Sequence, residues 1–221
     1  FWSLHDLHSV ELSSDDDYVE TFREIFDEAV ACRLRSAHPV ASLLSGGLDS
    51  SYVAASASRL LGAVGTKLPT YTAVPTKDLP LRQRPGTVSD EGPLVEATAE
   101  RCPNILPRFV TTDGRSALRD LEHVFRVAGP PRNLFNYGWD RAIAEQSRQE
   151  GMRVMLGGAA GNYAMSRTGL ERLAGLAIAK NWGVLFDELR CLRRRSGLPL
   201  TKLLLRSVVE PLLRRHVPAL G

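Results

Sequence analysis

The chain has 221 residues, 43% of them hydrophobic, and a formal net charge of +3. Its three cysteines and five histidines stand at no spacing typical of a zinc, redox or histidine-built metal centre, which predicts buried cysteines in a reducing cytoplasm. The sequence has no stretch apolar enough to span a bilayer and shows no signal peptide, which excludes a membrane-embedded class. A chain of this size can bury the core of one α/β domain, and we expect a single domain over residues 1–221.

Charge is distributed unevenly along the chain. Residues 1–31 carry nine acidic side chains and one Arg, whereas residues 167–221 carry eleven Lys and Arg against four acids. A basic tail can attract nucleic acid or an acidic peptide. Because no aromatic residues are interleaved for base stacking, we interpret these charges as solvated helix faces and expect no nucleic-acid partner.

The first predicted helix follows the acidic cap Ser13-Ser14-Asp15-Asp16-Asp17. Its apolar residues are expected to pack on the core: Val19, Phe22, Phe26, Ala29 and Val30. The short apolar run 39–44 then predicts a buried strand that ends at Gly46-Gly47. The Ala-rich residues 52–61 predict a second helix that stops before Gly62.

Further strands and helices alternate along the rest of the chain. Thr70–Val74 and Val154–Leu156 predict two more strands, and residues 77–93 a long loop. Helices are predicted at Leu94–Arg101, Ala117–Val127 and Trp139–Glu150. This alternation predicts a parallel, doubly wound sheet with its ligand at the strand carboxyl ends.

The stretch Ser45-Gly46-Gly47-Leu48-Asp49-Ser50-Ser51 lies between the first strand and the second helix. Glycines let backbone N–H groups approach a phosphate closely, and a helix N-terminus adds unpaired donors and a positive dipole end. The serines can add hydroxyl donors, and Asp49 offers a carboxylate to the Mg²⁺ that accompanies a polyphosphate. The stretch therefore predicts a phosphate-binding loop.

This loop resembles the pyrophosphate-binding loop of the ATP-pyrophosphatase enzymes, within which it is most similar to the synthetase domain of asparagine synthetase. The resemblance implies an adenine nucleotide alpha hydrolase-like fold with a helical C-terminal part. It also implies ATP-dependent adenylation of a carboxylate, after which an amine displaces AMP to form an amide. The implied nucleotide contacts are Leu44, Ser45, Gly46, Gly47, Asp49, Ser50 and Ser51, with backbone groups of Val74 facing adenine.

A second glycine-rich turn, Gly157-Gly158-Ala159-Ala160-Gly161-Asn162-Tyr163, follows the third predicted strand. Asparagine synthetases have Ser-Gly-Glu-Gly-Ala-Asp-Glu here, so Gly157 and Gly158 are implied at the nucleotide and Asn162 replaces an aspartate that helps hold Mg²⁺. Asn brings no charge, so metal binding should depend more on Asp49. Asp90, in the pair Asp90-Glu91, is implied either as a further metal contact or as a helix cap.

The stretch from Gly161 to Gly169 also resembles lasso-peptide cyclases, which adenylate an acidic side chain of a precursor peptide. The peptide's own N-terminal amine then closes a macrolactam. This resemblance implies a peptide or amino-acid carboxylate as substrate and a precursor peptide as partner.

The chain departs from the family in ways that affect catalysis. Synthetases place Asp-Glu-Pro, with a glutamate that deprotonates the amine, where this chain has Ala128-Gly129-Pro130-Pro131. Glu122 is the candidate substitute, beside His123. The glutaminase half is missing from this sequence, so ammonia would come from a glutaminase-like partner, and Lys180 and Lys202 match the family's catalytic lysine by residue type only.

Two apolar stripes near the end of the chain are too wide for helices facing water. They require cover from the core, a second subunit in a homo-oligomer, or a C-terminal portion not in this sequence. We interpret the chain as a fragment of a longer protein. Their residues are Trp182, Leu185, Phe186, Leu189 and Leu192, then Leu200, Leu203, Leu204, Val208, Leu212 and Leu213.

Three functions remain open at this point. The first is an ATP-dependent amide-forming enzyme acting on a peptide, or the C-terminal domain of an asparagine synthase. The second is a degenerate nucleotide-binding module without catalysis. The third is a tRNA-modifying relative, which the lack of catalytic cysteine pairs and aromatic platforms disfavours.

Overall fold

A computed structural model of the chain describes residue 3 and residues 10–76, 87–112, 121–129, 134–164, 166 and 169–216. The chain forms two compact units, Phe1–Asn162 and Tyr163–Gly221. The expectation of one domain over residues 1–221 stays a prediction.

The first unit begins with helix α1, Asp15–Leu34. The Ser14 hydroxyl accepts a hydrogen bond from the Asp17 N–H, so the predicted cap is confirmed. Of the face expected in the core, Val30 is buried and Phe26 is partly buried, but Val19, Phe22 and Ala29 are exposed. The expectation was wrong for those three because α1 packs on the core through Phe26 and Val30.

A four-stranded parallel sheet forms the centre of the first unit within the described residues, in the order β3-β2-β1-β4. Its strands are β1 (Val40–Leu43), β2 (Leu68–Ala73), β3 (Ile105–Val110) and β4 (Val154–Leu156). The helices between them are α2 (Leu48–Gly62), α3 (Gly92–Arg101), α4 (Leu121–Ala128) and α5 (Leu134–Gln149). The predicted parallel, doubly wound sheet is confirmed.

Apolar side chains fill both faces of this sheet. On one face, Val53, Ala57 and Val95 from α2 and α3 pack with Leu68 and Leu156. On the other, Ala142 and Ile143 from α5 pack against Ala41, Tyr71 and Val110. Neighbouring residues of a strand therefore point to opposite cores, as parallel strands buried on both faces require.

The structure adds an element that the sequence did not predict and moves the start of another. Strand β3 was missed because Pro107 interrupts its pattern, and an edge strand tolerates a proline that cannot donate to the ladder. Helix α2 begins at Leu48, four residues before the predicted start at Tyr52, because Gly47 is its N-cap. Part of the predicted loop, residues 77–86, and the first residues of the predicted helix at Ala117 lie outside the described residues.

The second unit is helical in its described residues. The short helix α6 (Gly161–Ala164) spans the division, and α7 (Leu170–Ile178), α8 (Trp182–Ser196), α9 (Leu200–Leu204), a π-helical segment (Leu205–Val209) and α10 (Glu210–His216) follow. Its core holds Leu173, Leu185, Leu189, Leu203 and Val208. The two apolar stripes are thus partly covered by each other, although Trp182 and Phe186 stay about half exposed.

The three cysteines are less buried than predicted. Cys32 and Cys191 are exposed and Cys102 is partly buried, so the prediction of three buried cysteines was wrong. Each exposed one lies on the outer side of a long helix, α1 or α8. No helix in the described part of the chain has the length and apolar character needed to cross a membrane.

Candidate functional site

The two glycine-rich turns follow β1 and β4, the neighbouring strands between which the order of strand addition reverses. The chain builds β1, β2 and β3 outward on one side, and then returns to place β4 on the other side of β1. In open parallel sheets, the crevice at such a reversal, outside the strand carboxyl ends, is where ligands bind. Residues 44–47 and 157–160 leave β1 and β4 at this point, so the topology brings the predicted turns together.

The serines of the first turn hold its shape through their own hydrogen bonds. The Ser45 N–H donates to the Ser50 hydroxyl at 3.0 Å, and the two hydroxyl oxygens of these serines are 2.6 Å apart. The Gly47 N–H donates to the Ser45 hydroxyl oxygen, and the Ser51 hydroxyl donates to the Ser45 carbonyl at 3.0 Å. These four hydrogen bonds hold the loop in its observed shape.

Helix α2 offers its N-terminal end to this loop. Gly47 is the N-cap and makes no side-chain cap hydrogen bond. The first N–H groups of a helix have no partner within the helix and carry the positive end of its dipole. Because Leu48 is the first helical residue, this end faces the exposed Gly46-Gly47 turn. The arrangement fits an anion.

The second turn lies against Asp49. A β-carbon on Gly161 would overlap the Asp49 carboxyl carbon, and one on Gly158 would lie 2.6 Å from the Ser50 backbone nitrogen. Ala160 between them has a left-handed backbone, φ 67°, and the glycines on both sides of it lie against Asp49. The exposed Asn162 follows Gly161 directly. Three of the residues predicted for the site, Gly158, Asp49 and Ser50, are therefore in close contact.

The oxygen donors at this contact suit magnesium that arrives with a nucleotide. A carboxylate on Asp49 and an amide oxygen on Asn162 are ligand types that Mg²⁺ accepts, and Mg²⁺ usually takes one or two carboxylates and fills its shell with phosphate and water. No cluster of three or more metal-binding side chains exists among the described residues. The residues fit an ion bound together with phosphates.

The start of α3 also borders the first turn. A β-carbon on Gly46 would overlap the end of the Leu94 side chain, so Gly46 and α3 are in contact. The exposed Asp90 accepts a hydrogen bond from the Gly92 N–H at 2.9 Å. The N-cap of α3 is Glu91, so Asp90 satisfies the first N–H of the helix from the residue before the cap, and its role at a metal stays a prediction.

Other predicted residues lie around or away from these turns. Leu44 is buried at the end of β1, and Gly157 is exposed after β4. The Val74 N–H donates to the Val110 carbonyl at 2.9 Å, so a backbone hydrogen bond from Val74 to adenine would use its carbonyl oxygen.

The structure explains the glycine found where the family has its glutamate. Gly129 directly follows α4 and has φ 72°, a left-handed conformation that favours glycine at a helix end. The candidate substitute Glu122 is highly exposed and accepts a hydrogen bond from Arg126 at 2.8 Å. The side chain of His123 lies outside the described set, and the exposed Lys180 and Lys202 belong to the second unit.

Two residues that contact Asp49 or Leu44 were not predicted from the sequence as site residues. Gly161 lies within the predicted second turn but was not named as a site residue, and its contact with Asp49 joins residues distant in sequence. Thr72 donates a hydrogen bond from β2 to the Leu44 carbonyl at 2.7 Å, and no local pattern indicates a contact over that separation.

A charged network lies on the α5 face of the sheet. The buried Tyr71 hydroxyl donates to Glu150 at 2.9 Å, and Arg108 donates to the same carboxylate. Burial, followed by the hydrogen bond to Glu150, raises the pKa of Tyr71 to about 12. Hydrogen bonds from Gln146, Tyr71 and Arg108 lower the pKa of Glu150 despite its partial burial. Burial also raises the pKa of Asp140 on α5.

Comparison with known proteins identifies the family of this chain. The asparagine synthase family model matches residues 21–218, so the chain belongs to the asparagine synthase family, whose members use ATP to form amide bonds.

Two curated relatives are similar to parts of the chain. Amidase chry2 of Gibberella zeae is 30% identical over 163 residues, which cover 72% of this chain and 24% of the amidase. A probable glutamine-hydrolysing asparagine synthetase of Dictyostelium discoideum is 43% identical over 58 residues, which cover 26% of this chain and 10% of that protein. The chain thus spans a quarter or less of the length of these relatives.

Proposed function

We propose that this chain binds ATP at the two glycine turns and supports amide-bond formation by adenylating a carboxylate. The observation that carries the proposal is the close contact of Gly158 and Gly161 with Asp49 and Ser50 at the reversal point of the sheet. A loop that begins a helix and lacks side chains at its two glycines suits a polyphosphate.

The proposed reaction has two steps. A carboxylate oxygen attacks the α-phosphorus of ATP, and the bond to the β-phosphate breaks to release pyrophosphate. An amine nitrogen then attacks the activated carbonyl carbon, AMP leaves with the bonding electron pair, and the amine loses a proton. The products are the amide, AMP and pyrophosphate.

The residues of the first turn bind the departing pyrophosphate. N–H groups at the start of α2 orient its oxygens, and the serine hydrogen bonds keep those groups in place before ATP arrives. Preorganised donors of this kind stabilise developing charge because they need no rearrangement during the reaction. Asp49 with Asn162, and Asp90 as a further candidate, would hold Mg²⁺, which when bound neutralises charge on the phosphates.

The site offers little general-base help for removing the proton from the attacking amine. Gly129 supplies no carboxylate, and Glu122 is exposed and paired with Arg126. General-base help is worth about 10²–10⁴-fold, so its absence slows the second step without preventing it. If no other group accepts the proton of the amine, we propose Glu122 as the general base.

We propose a peptide as the carboxylate substrate, with its own N-terminal amine as the nucleophile, as in lasso-peptide cyclases. The support is the pattern Gly161-Asn162 followed by Ser166 and Gly169. The alternative within the same chemistry is the C-terminal domain of an asparagine synthase, for which a glutaminase-like partner would supply ammonia. The partial similarity to an asparagine synthetase favours that alternative.

Calorimetric titration of ATP with Mg²⁺ into the purified chain tests the proposal. We expect binding that Asp49→Ala removes and that Asp187→Ala, a change of the same kind at an exposed helix position, leaves intact. Carboxylate-dependent release of AMP and pyrophosphate would then be assayed with aspartate and with a peptide that carries an acidic side chain. A folded chain that binds no ATP would contradict the proposal.

A degenerate nucleotide-binding module is the second candidate, and Gly129 and Asn162, which replace family carboxylates, favour it. The two candidates differ in one measurable respect. A degenerate module binds ATP with Mg²⁺ and yields no AMP with any carboxylate, whereas the enzyme releases AMP and pyrophosphate in equal amounts.

A further inference from the structure

Both backbone polar groups of Leu44 are held by strand β2. The Leu44 N–H donates to the Tyr71 carbonyl at 3.0 Å, and the Leu44 carbonyl accepts from the Thr72 hydroxyl at 2.7 Å. Leu44 and Thr72 are each 1% exposed. A side chain, rather than the backbone alone, therefore fixes the last residue before the first glycine turn.

The hydrogen bond to Leu44 also determines the direction of the next N–H group. The carbonyl of Leu44 and the N–H of Ser45 belong to one planar peptide unit, so they cannot turn independently. This Ser45 N–H donates to the Ser50 hydroxyl at 3.0 Å, and that hydroxyl donates to the Gly47 carbonyl at 3.3 Å. A continuous series of hydrogen bonds thus leads from Thr72 to the N-cap of α2.

We infer that Thr72 is a positioning residue of the nucleotide loop, which it orients through the Leu44–Ser45 peptide plane without touching the nucleotide. The inference rests on the proposed function, because it gives the loop its ATP-binding shape. Gly46 and Gly47 have no side chains to hold them, so the loop depends on hydrogen bonds from its serines and on contacts from neighbouring elements. Thr72 supplies one such contact from the sheet.

Thr70 provides a matched control on the same strand. It lies two residues before Thr72, is fully buried, and its hydroxyl has no hydrogen-bond partner within the described part of the chain. Replacing either threonine by valine makes the same change of shape and polarity. Only Thr72→Val removes a hydrogen bond, and it leaves the buried Leu44 carbonyl without its hydroxyl donor.

The test compares Thr72→Val, Thr72→Ser and Thr70→Val by two measurements. Titration of ATP with Mg²⁺ should show affinity about three- to tenfold weaker for Thr72→Val, in line with the loss of one hydrogen bond, and near the original for the other two. Amide hydrogen exchange without nucleotide should be faster at Ser45 and Gly47 in Thr72→Val alone. Rescue by serine separates the hydroxyl from the methyl group.

Each outcome decides the question. Equal affinity and equal Ser45 exchange in Thr72→Val and Thr70→Val would overturn the inference. If the unaltered chain binds no ATP, the proposed function fails, and the exchange measurement alone decides whether Thr72 orients the loop. Should Thr72→Val not fold, Thr72→Ser and Thr72→Ala replace it as a pair that differs only in the hydroxyl, and equal Ser45 exchange in that pair would overturn the inference.

Discussion

The side chain of Asp49 lies so close to the backbone of Gly161 that a β-carbon on Gly161 would overlap the Asp49 carboxyl carbon. The two residues stand at the starts of helices far apart in the chain, Asp49 in α2 after β1 and Gly161 in α6 after β4. Asp49 can therefore occupy its observed position only if residue 161 is glycine.

Gly161→Ala should displace Asp49 and weaken binding of ATP with Mg²⁺ by about five- to 150-fold, while the first unit stays folded. The reason is that the new methyl group competes with the carboxylate for the same space, and overpacking of this kind costs about 1–3 kcal/mol. Calorimetry measures the affinity, and circular dichroism checks the fold.

The control for this substitution is Gly138→Ala on α5, where the nearest atom to a new β-carbon is Thr112 Cγ2 at 4.0 Å. That change should be neutral or stabilise the helix by up to about 1 kcal/mol. Unchanged ATP affinity in Gly161→Ala would contradict the packing described for the second turn.

Gly46→Ala should also weaken ATP binding, because its β-carbon would overlap the end of the Leu94 side chain on α3. Leu94 can be shortened, since it is 42% exposed. We therefore expect the double variant Gly46→Ala with Leu94→Ala to recover most of the lost affinity, with Leu94→Ala alone as the reference. An equal loss in both backgrounds would show that the contact with α3 does not control the loop.

Tyr71 should ionise at a pH of about 12, well above the ordinary 10.0, because burial and the hydrogen bond to Glu150 favour its neutral form. The stabilisation from this neutral form is complete below pH 10 and is lost as the pH rises toward 12. Near-ultraviolet absorbance during a base titration measures the ionisation. Tyr71→Phe should remove the late step.

Glu150→Gln is the companion variant, since it keeps an oxygen acceptor but removes the negative charge near Tyr71. The pKa of Tyr71 should then fall toward its ordinary value. Glu150 itself has a lowered pKa, so its contribution to stability is present above the usual 4.5 and is lost as the pH falls through the lowered value. A Tyr71 pKa that does not change in Glu150→Gln would contradict the hydrogen-bonded network.

The sequence predicted the parts of the fold that local patterns encode. The Ser14 cap, the buried strand before Ser45 and the glycine after Leu156 each depend on neighbouring residues, and the structure confirms all three elements. Strand β3 was missed because its pattern contains Pro107, which only its place at the sheet edge makes acceptable.

The candidate site was predictable only in part. The residues of the two turns could be named because glycine and serine patterns imply a phosphate loop. The contacts of Gly161 with Asp49, of Leu94 with Gly46 and of Thr72 with Leu44 join residues distant in sequence, so no local pattern indicates them. For the same reason, half-exposed Val19 and Phe22 could not be told from Phe26 on a single apolar face.

The position of β1 between β2 and β4 has a consequence for the order in which the sheet forms. Val40 pairs with Val154, so the chain must close a very long loop before β1 gains its second neighbour. Such distant pairing is slow, since the entropy of closing the loop is lost before the contacts form. During synthesis on the ribosome, the first turn exists well before the second reaches it, so a ligand that needs both turns, as proposed for ATP, would stabilise only completed molecules.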